Sequence, residues 1–403
     1  MTDAQNTQNP QKSKSRIGLV LSGGGARGAY QAGVLSGIGE IIGHDYGDQP
    51  FPIITGISAG SINASYLASS SVSFAQQVRM LLHMWSELVS DQVIKTTPMT
   101  LGKLGLGWIR DLSTGGLLGQ PQSTHLLDSS PLESFLRERI DFDQLRRNID
   151  SKVLDGVSVT STSYGTGTSV TFFDSRDLSS WSRSARIGVR TTLALEHVLA
   201  SSSIPVFFKP VRIGNSYYGD GGIRSASPLS PAIHLGADKL VAIGVRYPRN
   251  NAEAQEINQQ VVMPDISLAD IAGVLLNSLF LDALEFDHER LSRINETVGM
   301  LDEFVPKSKD HKLKRIPTLL FLPSVDLGQI AADQFDRFPK VMKYFLKGIG
   351  AGKENGADML SYLAFDHAYT QSLVEVGRKD ALARREEIVA FFKDSQTTPA
   401  ALS

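Results

Sequence analysis

The chain has 403 residues, 41% of them hydrophobic and 20% charged, with a formal net charge of -2, the make-up of a globular protein with room for one large domain or two. That balance holds no basic excess for nucleic acid, and no apolar run reaches the roughly 18 residues of a membrane span. Cysteine is absent, which excludes disulfides, thiolate metal ligands and cysteine nucleophiles together.

Residues 1–16 are polar and lack the hydrophobic segment of a secretory signal. They read as a disordered leader, so the expected location is cytoplasmic, with lipid met only at the surface of a membrane. Ile17 to Leu21 is a short apolar run that reads as a buried strand. Ser22-Gly23-Gly24-Gly25-Ala26-Arg27-Gly28 follows, then a helical pattern from Ala29 to about Ile42. Strand, glycine loop and helix form an anion-binding arrangement, because loop amides and the helix N-terminus present partial positive charge to one point. Gly23-x-Gly25-x-x-Gly28 fits a dinucleotide fingerprint, and the same loop can cradle the oxyanion of an acyl-transfer intermediate. The fingerprint calls for an acid about 20 residues on, at the end of a second strand. Glu40 falls inside the helix, and Asp45 and Asp48 in the loop after it, which weighs against the nucleotide.

The second strand, Phe51 to Ile57, carries Gly56-Ile57-Ser58-Ala59-Gly60 into a small-residue helix, Ala59 to Ala68. On a sharp strand-to-helix turn this pattern holds the serine in a strained conformation, its hydroxyl standing beside unpaired helix amides. The flanking glycines, Gly56 and Gly60, remove side chains that would clash there. Taken alone, the motif also describes a tight packing turn.

Phe74 to Val89 is helical, whereas residues 100–120 mix glycine with Trp108, Leu117 and Leu118 and carry few charges. They read either as a mobile flap over an apolar site or as a loop packed on the core. Ser130 to Ile140 reads as a helix capped by Ser130, with Pro131 in the first turn. Val153 to Thr160 and Ser169 to Phe173 read as strands, and Thr192 to Ala200 as a helix broken by Ser201-Ser202-Ser203-Ile204-Pro205. Tyr217-Tyr218 then leads into Asp220-Gly221-Gly222, an acid flanked by glycine just after a strand. It is a second candidate for chemistry, although alone it reads first as a hairpin turn.

Beyond Pro228 a helix leads to a parallel-type strand at Lys239 to Val245. Asn250 to Asp265 reads as an irregular insertion and Ile266 to Asn295 as one long amphipathic helix; Thr318 to Leu322 is a last strand and Phe335 to Phe392 is helical. Strands interleaved with helices, then helices alone, predict an α/β fold with a mostly parallel central sheet flanked by helices. The expected division is a catalytic α/β domain over 17–250 and a mainly helical region over 251–403, packed on it, with one further strand near 318–322. Ligands in such sheets sit at the carboxyl ends of the strands, where both glycine motifs begin.

Three motifs in order, Gly23-Gly24-Gly25-Ala26-Arg27-Gly28, Gly56-Ile57-Ser58-Ala59-Gly60 and Asp220-Gly221-Gly222, resemble those of the patatin-like phospholipase family. The resemblance spans roughly residues 17 to 240 and is weak after about 265. It implies a three-layer core, Ser58 as nucleophile, Asp220 as its partner in a Ser-Asp dyad, and the loop of Gly23, Gly24, Gly25, Arg27 and Gly28 as oxyanion hole. The family often has alanine where this chain has Gly222. The implied substrates are carboxylic esters of lipids, phospholipid or acylglycerol, cleaved through an acyl-enzyme, with no cofactor and no metal. Arg27 is either an exposed charge or a residue that positions a phosphate or the loop itself.

A histidine could instead complete a triad, and His234, His288, His311 and His367 all follow Asp220. None has motif context, and a lone helical histidine is more often structural. Two other classes stay open: a nucleotide-binding module, and a catalytically idle protein that binds lipid. Head-group choice and oligomeric state have no signal in the sequence.

Overall fold

The computed structural model describes residues 15–95, 106–107, 113, 125–260, 266–304, 313–352 and 355–394. All but the last two residues of the leader, nearly all of the 100–120 segment, and His311 lie outside them.

Strand β1 (Ile17–Leu21) is buried at every position, as expected of a continuous apolar run with a parallel neighbour on each side. A single 3-10 turn, Gly25–Arg27, passes into α1 (Gly28–Ile42), followed by β2 (Ile53–Ile57), α2 (Ala59–Ala68), α3 (Phe74–Glu87) and the short α4 (Ser90–Val93). Then come α5 (Ser130–Arg139), α6 (Phe142–Asp150), β3 (Gly156–Ser163), β4 (Ser169–Ser175), β5 (Trp181–Arg183), β6 (Arg186–Arg190) and α7 (Leu195–Ser201). The hairpin β7 (Val211–Ile213) and β8 (Ser216–Asp220) precedes a second 3-10 turn, Gly221–Arg224, then α8 (Ser230–His234) and β9 (Lys239–Ile243). The remainder is α9 (Asn251–Gln260), α10 (Leu268–Phe280), α11 (Asp282–Phe304), β10 (Thr318–Phe321), α12 (Leu327–Asp333), α13 (Lys340–Gly348), α14 (Ala357–Leu363), α15 (His367–Ala383) and α16 (Arg385–Asp394).

One 10-stranded sheet runs β10-β9-β1-β2-β3-β4-β6-β5, with β8 pairing both β3 and β7. From β10 to β3 every pairing is parallel, and β4 returns antiparallel to β3. The register at β3 brings the two distant motifs together. Strand β2 pairs with β3 only as far as Ile57 opposite Thr160. Hairpin strand β8 then takes up β3 where β2 leaves off, placing Asp220 opposite Ser161. Ser58, the residue at which the chain turns away from the sheet, therefore faces the last residue of β8.

Helix α15 covers α1 from outside at backbone distance. A Cβ on Gly33 would lie 2.1 Å from the Val374 carbonyl oxygen, and one on Gly377 would lie 2.3 Å from that of Tyr30. Side chains from both the first and the last third of the chain thus share one core.

Several local readings are corrected. The stretch read as an irregular insertion is helical over Asn251–Gln260; the Asn250 side chain accepts the Glu253 N–H at 2.9 Å while the Glu253 carboxylate accepts the Asn250 N–H at 3.2 Å, a capping pair that nucleates it. The long helix over 266–295 is two, divided at Leu281. The last helical stretch is divided too, with Gly350 and Gly356 at positive φ marking breaks. Ser130 is the first helical residue rather than the cap, and its N–H is accepted by Asp128 at 3.0 Å. Strands β5 and β6 are additional to the sequence reading; β5 is three residues long, too short for an alternation pattern to register.

Candidate active site

Ser58 sits at φ 53° and ψ -126° between β2 and α2. A residue with a Cβ rarely adopts this backbone, and keeping it there costs about 1–3 kcal/mol. Its surroundings enforce it. The Ser58 N–H donates to Ser201 Oγ at 3.0 Å, and that hydroxyl donates to the Thr160 carbonyl at 2.6 Å. The Ser58 carbonyl accepts the Ser61 N–H at 2.8 Å and the Ser61 hydroxyl at 2.6 Å. Gly56 and Gly60 allow the turn to close, since a Cβ on Gly56 would lie 2.2 Å from the Gly60 carbonyl and one on Gly60 would lie 2.2 Å from that of Leu21.

Asp220 is equally fixed. Its N–H donates to the Ser203 carbonyl at 2.9 Å and its carbonyl accepts the Thr162 hydroxyl at 2.8 Å. One carboxylate oxygen accepts the Gly222 N–H at 2.9 Å and the other accepts the Ser58 hydroxyl at 2.5 Å. The side chain is fully buried, and loss of water raises its pKa to about 7 against the opposing pull of the hydrogen bonds from Ser58 and Gly222. Gly221 lets the turn pass under β3, where a Cβ would lie 2.0 Å from the Thr160 carbonyl. Glycine at 222 has a local reason as well: a Cβ there would lie 2.1 Å from the Phe280 ring, which rests on this turn.

The glycine loop completes the group. Gly24 and Gly25 have φ of 148° and 59°, and Gly23 approaches so closely that a Cβ on it would lie 3.0 Å from the Ser58 Cβ. Among the described residues the amides of Gly23, Gly24 and Gly25 have no protein acceptor. Gly28 faces the Trp85 ring rather than the serine. From Gly25 and Ser58 an apolar pocket runs between Ile62, Trp85, Leu88, Leu132, Phe135 and Phe208.

Arg27 is not an exposed charge, and its contacts fit the reading in which it positions the glycine loop. It is buried, and its guanidinium donates to Asp358 Oδ1 at 2.8 Å and to Ser361 Oγ at 2.7 Å, with its carbon 4.9 Å from the centre of the Tyr362 ring. It ties the glycine loop to α14. Arg27→Ala is expected to lower stability by about 2–3 kcal/mol, read by thermal unfolding, because Asp358 loses its partner. Turnover on a phospholipid and on a neutral acylglycerol should fall by the same factor; a loss confined to phospholipid would instead place the guanidinium at a phosphate.

Two of the candidate histidines are engaged elsewhere. His234 stacks on Trp181 with ring centres 4.3 Å apart, and His367 Nδ1 lies 2.8 Å from the Ser86 carbonyl. Burial lowers the pKa of His288. No described histidine hydrogen-bonds Ser58 or Asp220. Among the described residues, no group of three His, Asp or Glu side chains could hold a metal ion. Ser201 and Thr162, which clamp the serine and the aspartate by hydrogen bonds, were not singled out for these roles in the sequence. For Ser201 the one signal is the serine run that begins at the last residue of α7.

The model of the patatin-like phospholipase family matches residues 19–233. Calcium-independent phospholipase A2-gamma of Oryctolagus cuniculus is 22% identical over 350 residues, covering 80% of this chain and 42% of that protein. The chain therefore spans less than half the length of that relative. Human GIVD cytosolic phospholipase A2, solved with methyl gamma-linolenyl fluorophosphonate, aligns at 13% identity over 95% of this chain and 59% of its own, with a TM-score of 0.45. VipD from Legionella pneumophila aligns at 12% identity over 92% of this chain and 72% of its own, with a TM-score of 0.32.

Proposed function

Because this chain belongs to the patatin-like phospholipase family, with more than half of its length matched, we propose that it is a serine lipid acyl hydrolase of the phospholipase A or lysophospholipase type. The observation that carries the reading is the 2.5 Å hydrogen bond from the Ser58 hydroxyl to a fully buried Asp220 whose pKa lies at about 7. A free aspartate, near pKa 3.9, falls short of histidine as a base by about 2.6 units, or roughly 3.5 kcal/mol. Burial removes that deficit.

In the proposed reaction Asp220 takes the Ser58 proton as Oγ attacks the ester carbonyl carbon. Negative charge passes to the carbonyl oxygen, which the free amides of Gly24 and Gly25 hold; one such donor is worth about 2.7–4 kcal/mol. Asp220 returns the proton to the departing alcohol, leaving an acyl-Ser58. Water, losing its proton to Asp220, then releases the fatty acid by the same route. The apolar pocket beside Ser58 has an open volume of only about 30 Å³, so it takes the acyl chain as its lining side chains move apart. The substrate is a phospholipid or acylglycerol met at the surface of a membrane, and no helix among the described residues is long and apolar enough to cross one.

The nucleotide alternative has little support, since the loop lies against Ser58 and an apolar pocket rather than beside an acid for a ribose. An alkyl fluorophosphonate separates the readings. It should label the protein once, at Ser58, as read by peptide mass. The labelled chain should no longer release fatty acid from a panel of phospholipids, lysophospholipids and triacylglycerols. No labelling, with the native chain inert on the whole panel, would leave an idle lipid binder.

A further inference from the structure

We propose that the outward face of α10, together with the lysines of α13, is the surface by which this protein docks on an anionic lipid bilayer. The proposal rests on the lipid-hydrolase reading for its purpose but not for its evidence. Helix α10 is apolar on two faces. Ala269, Gly273, Leu276 and Phe280 are buried, while Leu268, Ile271, Val274, Leu275 and Leu279 stand 37–66% exposed. Ser278 is the one polar residue among these outward positions, and none is charged. The helix's single charged residue, Asp270, is used internally, accepting from Ser267 and from the Gly356 N–H. A helix apolar all round is normally covered on every side, and here water covers one side.

The neighbouring charges identify the cover. Helix α13 reads Lys340-Val341-Met342-Lys343-Tyr344-Phe345-Leu346-Lys347-Gly348, with three lysines and no acid. Lys340, Tyr344 and Lys347 lie on one face at helical spacing and are exposed, Tyr344 by 83%, opposite the buried Met342 and Leu346. The two helices meet at one end: the Ala269 N–H donates to the Ile349 carbonyl at 2.9 Å, joining the start of α10 to the residue after α13. An apolar helical face beside lysines and an exposed tyrosine is the composition that seats in the headgroup layer, with apolar groups at the acyl boundary and cations on phosphates.

Position supplies the second argument. Phe280, at the end of the same helix, rests on Gly222, two residues from Asp220, and the next residue, Leu281, lies within 3.7 Å of where a Cβ on Gly24 would stand. Seating α10 on a bilayer therefore sets the catalytic turn and the glycine loop one helix behind the interface.

Vesicle flotation tests this with the Ser58→Ala chain, so that hydrolysis does not alter the lipid. Binding is expected on phosphatidylcholine vesicles containing about one-third phosphatidylglycerol, and weaker binding on phosphatidylcholine alone. Ile271→Asp/Leu275→Asp should lower affinity for both at least about tenfold. Lys340→Glu/Lys347→Glu should lower affinity on the order of tenfold on the anionic vesicles only. Melting temperatures near that of the parent would show that these surface variants are folded. Unchanged vesicle affinity in both pairs overturns the proposal. So does a parent that sediments as a dimer and that the aspartate pair splits, because the face is then a seam between two copies. If the native chain fails to hydrolyse any ester while vesicle binding follows the expected pattern, the enzyme reading falls and the docking surface stands.

Discussion

Ser58→Ala is expected to reduce fatty-acid release by on the order of 10⁴-fold or more, with the chain still folded. Alanine keeps the Cβ, so the strained backbone at φ 53° stays as it is and the change isolates the hydroxyl. What remains is the glycine loop and the apolar pocket, which can still bind an ester but have no atom to accept its acyl group. The buried carboxylate of Asp220 meanwhile loses the hydrogen bond from Ser58, one of the two contacts that favour its ionised form. Ser58→Gly supplies the contrast. It is equally without a nucleophile but relieves the backbone, so it should be more stable than Ser58→Ala by about 1–2 kcal/mol in thermal unfolding. Ser58→Ala turnover within tenfold of native would remove Ser58 from the chemistry.

The parts of this site written in the sequence are those fixed by neighbouring residues. A glycine loop after an apolar run and a serine between glycines are local backbone requirements, and Gly23 to Gly28 and Gly56 to Gly60 display them within a few positions. Asp220 was ambiguous for the same reason, since Asp-Gly serves a hairpin as well as a base, and only the register opposite Ser161 decides where its carboxylate points. For Arg27 the sequence leaves an exposed charge, a phosphate contact and a support for the loop all open, because its partners, Asp358 and Ser361, are more than 330 positions away. Gly222 is explained by Phe280, another distant contact. Helix α9 is a different case, because its capping pair of Asn250 and Glu253 lies within four residues of sequence. The break at Leu281 has no glycine or proline to announce it, whereas the break at Gly356 is carried by a glycine at positive φ, a feature that amphipathic periodicity alone does not read.

Asp220→Asn should lower turnover on the order of 10³-fold or more and yet raise stability at neutral pH. Asparagine cannot take the serine proton, and its size preserves the turn. The stability effect follows from the pKa of about 7, raised by burial from a free value near 3.9. Between those values the folded chain binds more protons than the unfolded one, so native stability falls as pH rises through that window and levels off above the folded pKa. The asparagine variant lacks this slope. Its advantage should be absent below about pH 4 and reach at most about 4 kcal/mol above pH 7, the difference of roughly three units at 1.36 kcal/mol each. Native turnover should rise with pH along a limb near 7 as Asp220 ionises, and that limb should vanish in the variant. A variant that keeps substantial activity with a limb near pH 6.5 would transfer the base to a histidine. The same burial that makes this carboxylate basic enough to activate a serine thus destabilises the fold, and equal melting temperatures for the two proteins at pH 4 and pH 8 would contradict that coupling.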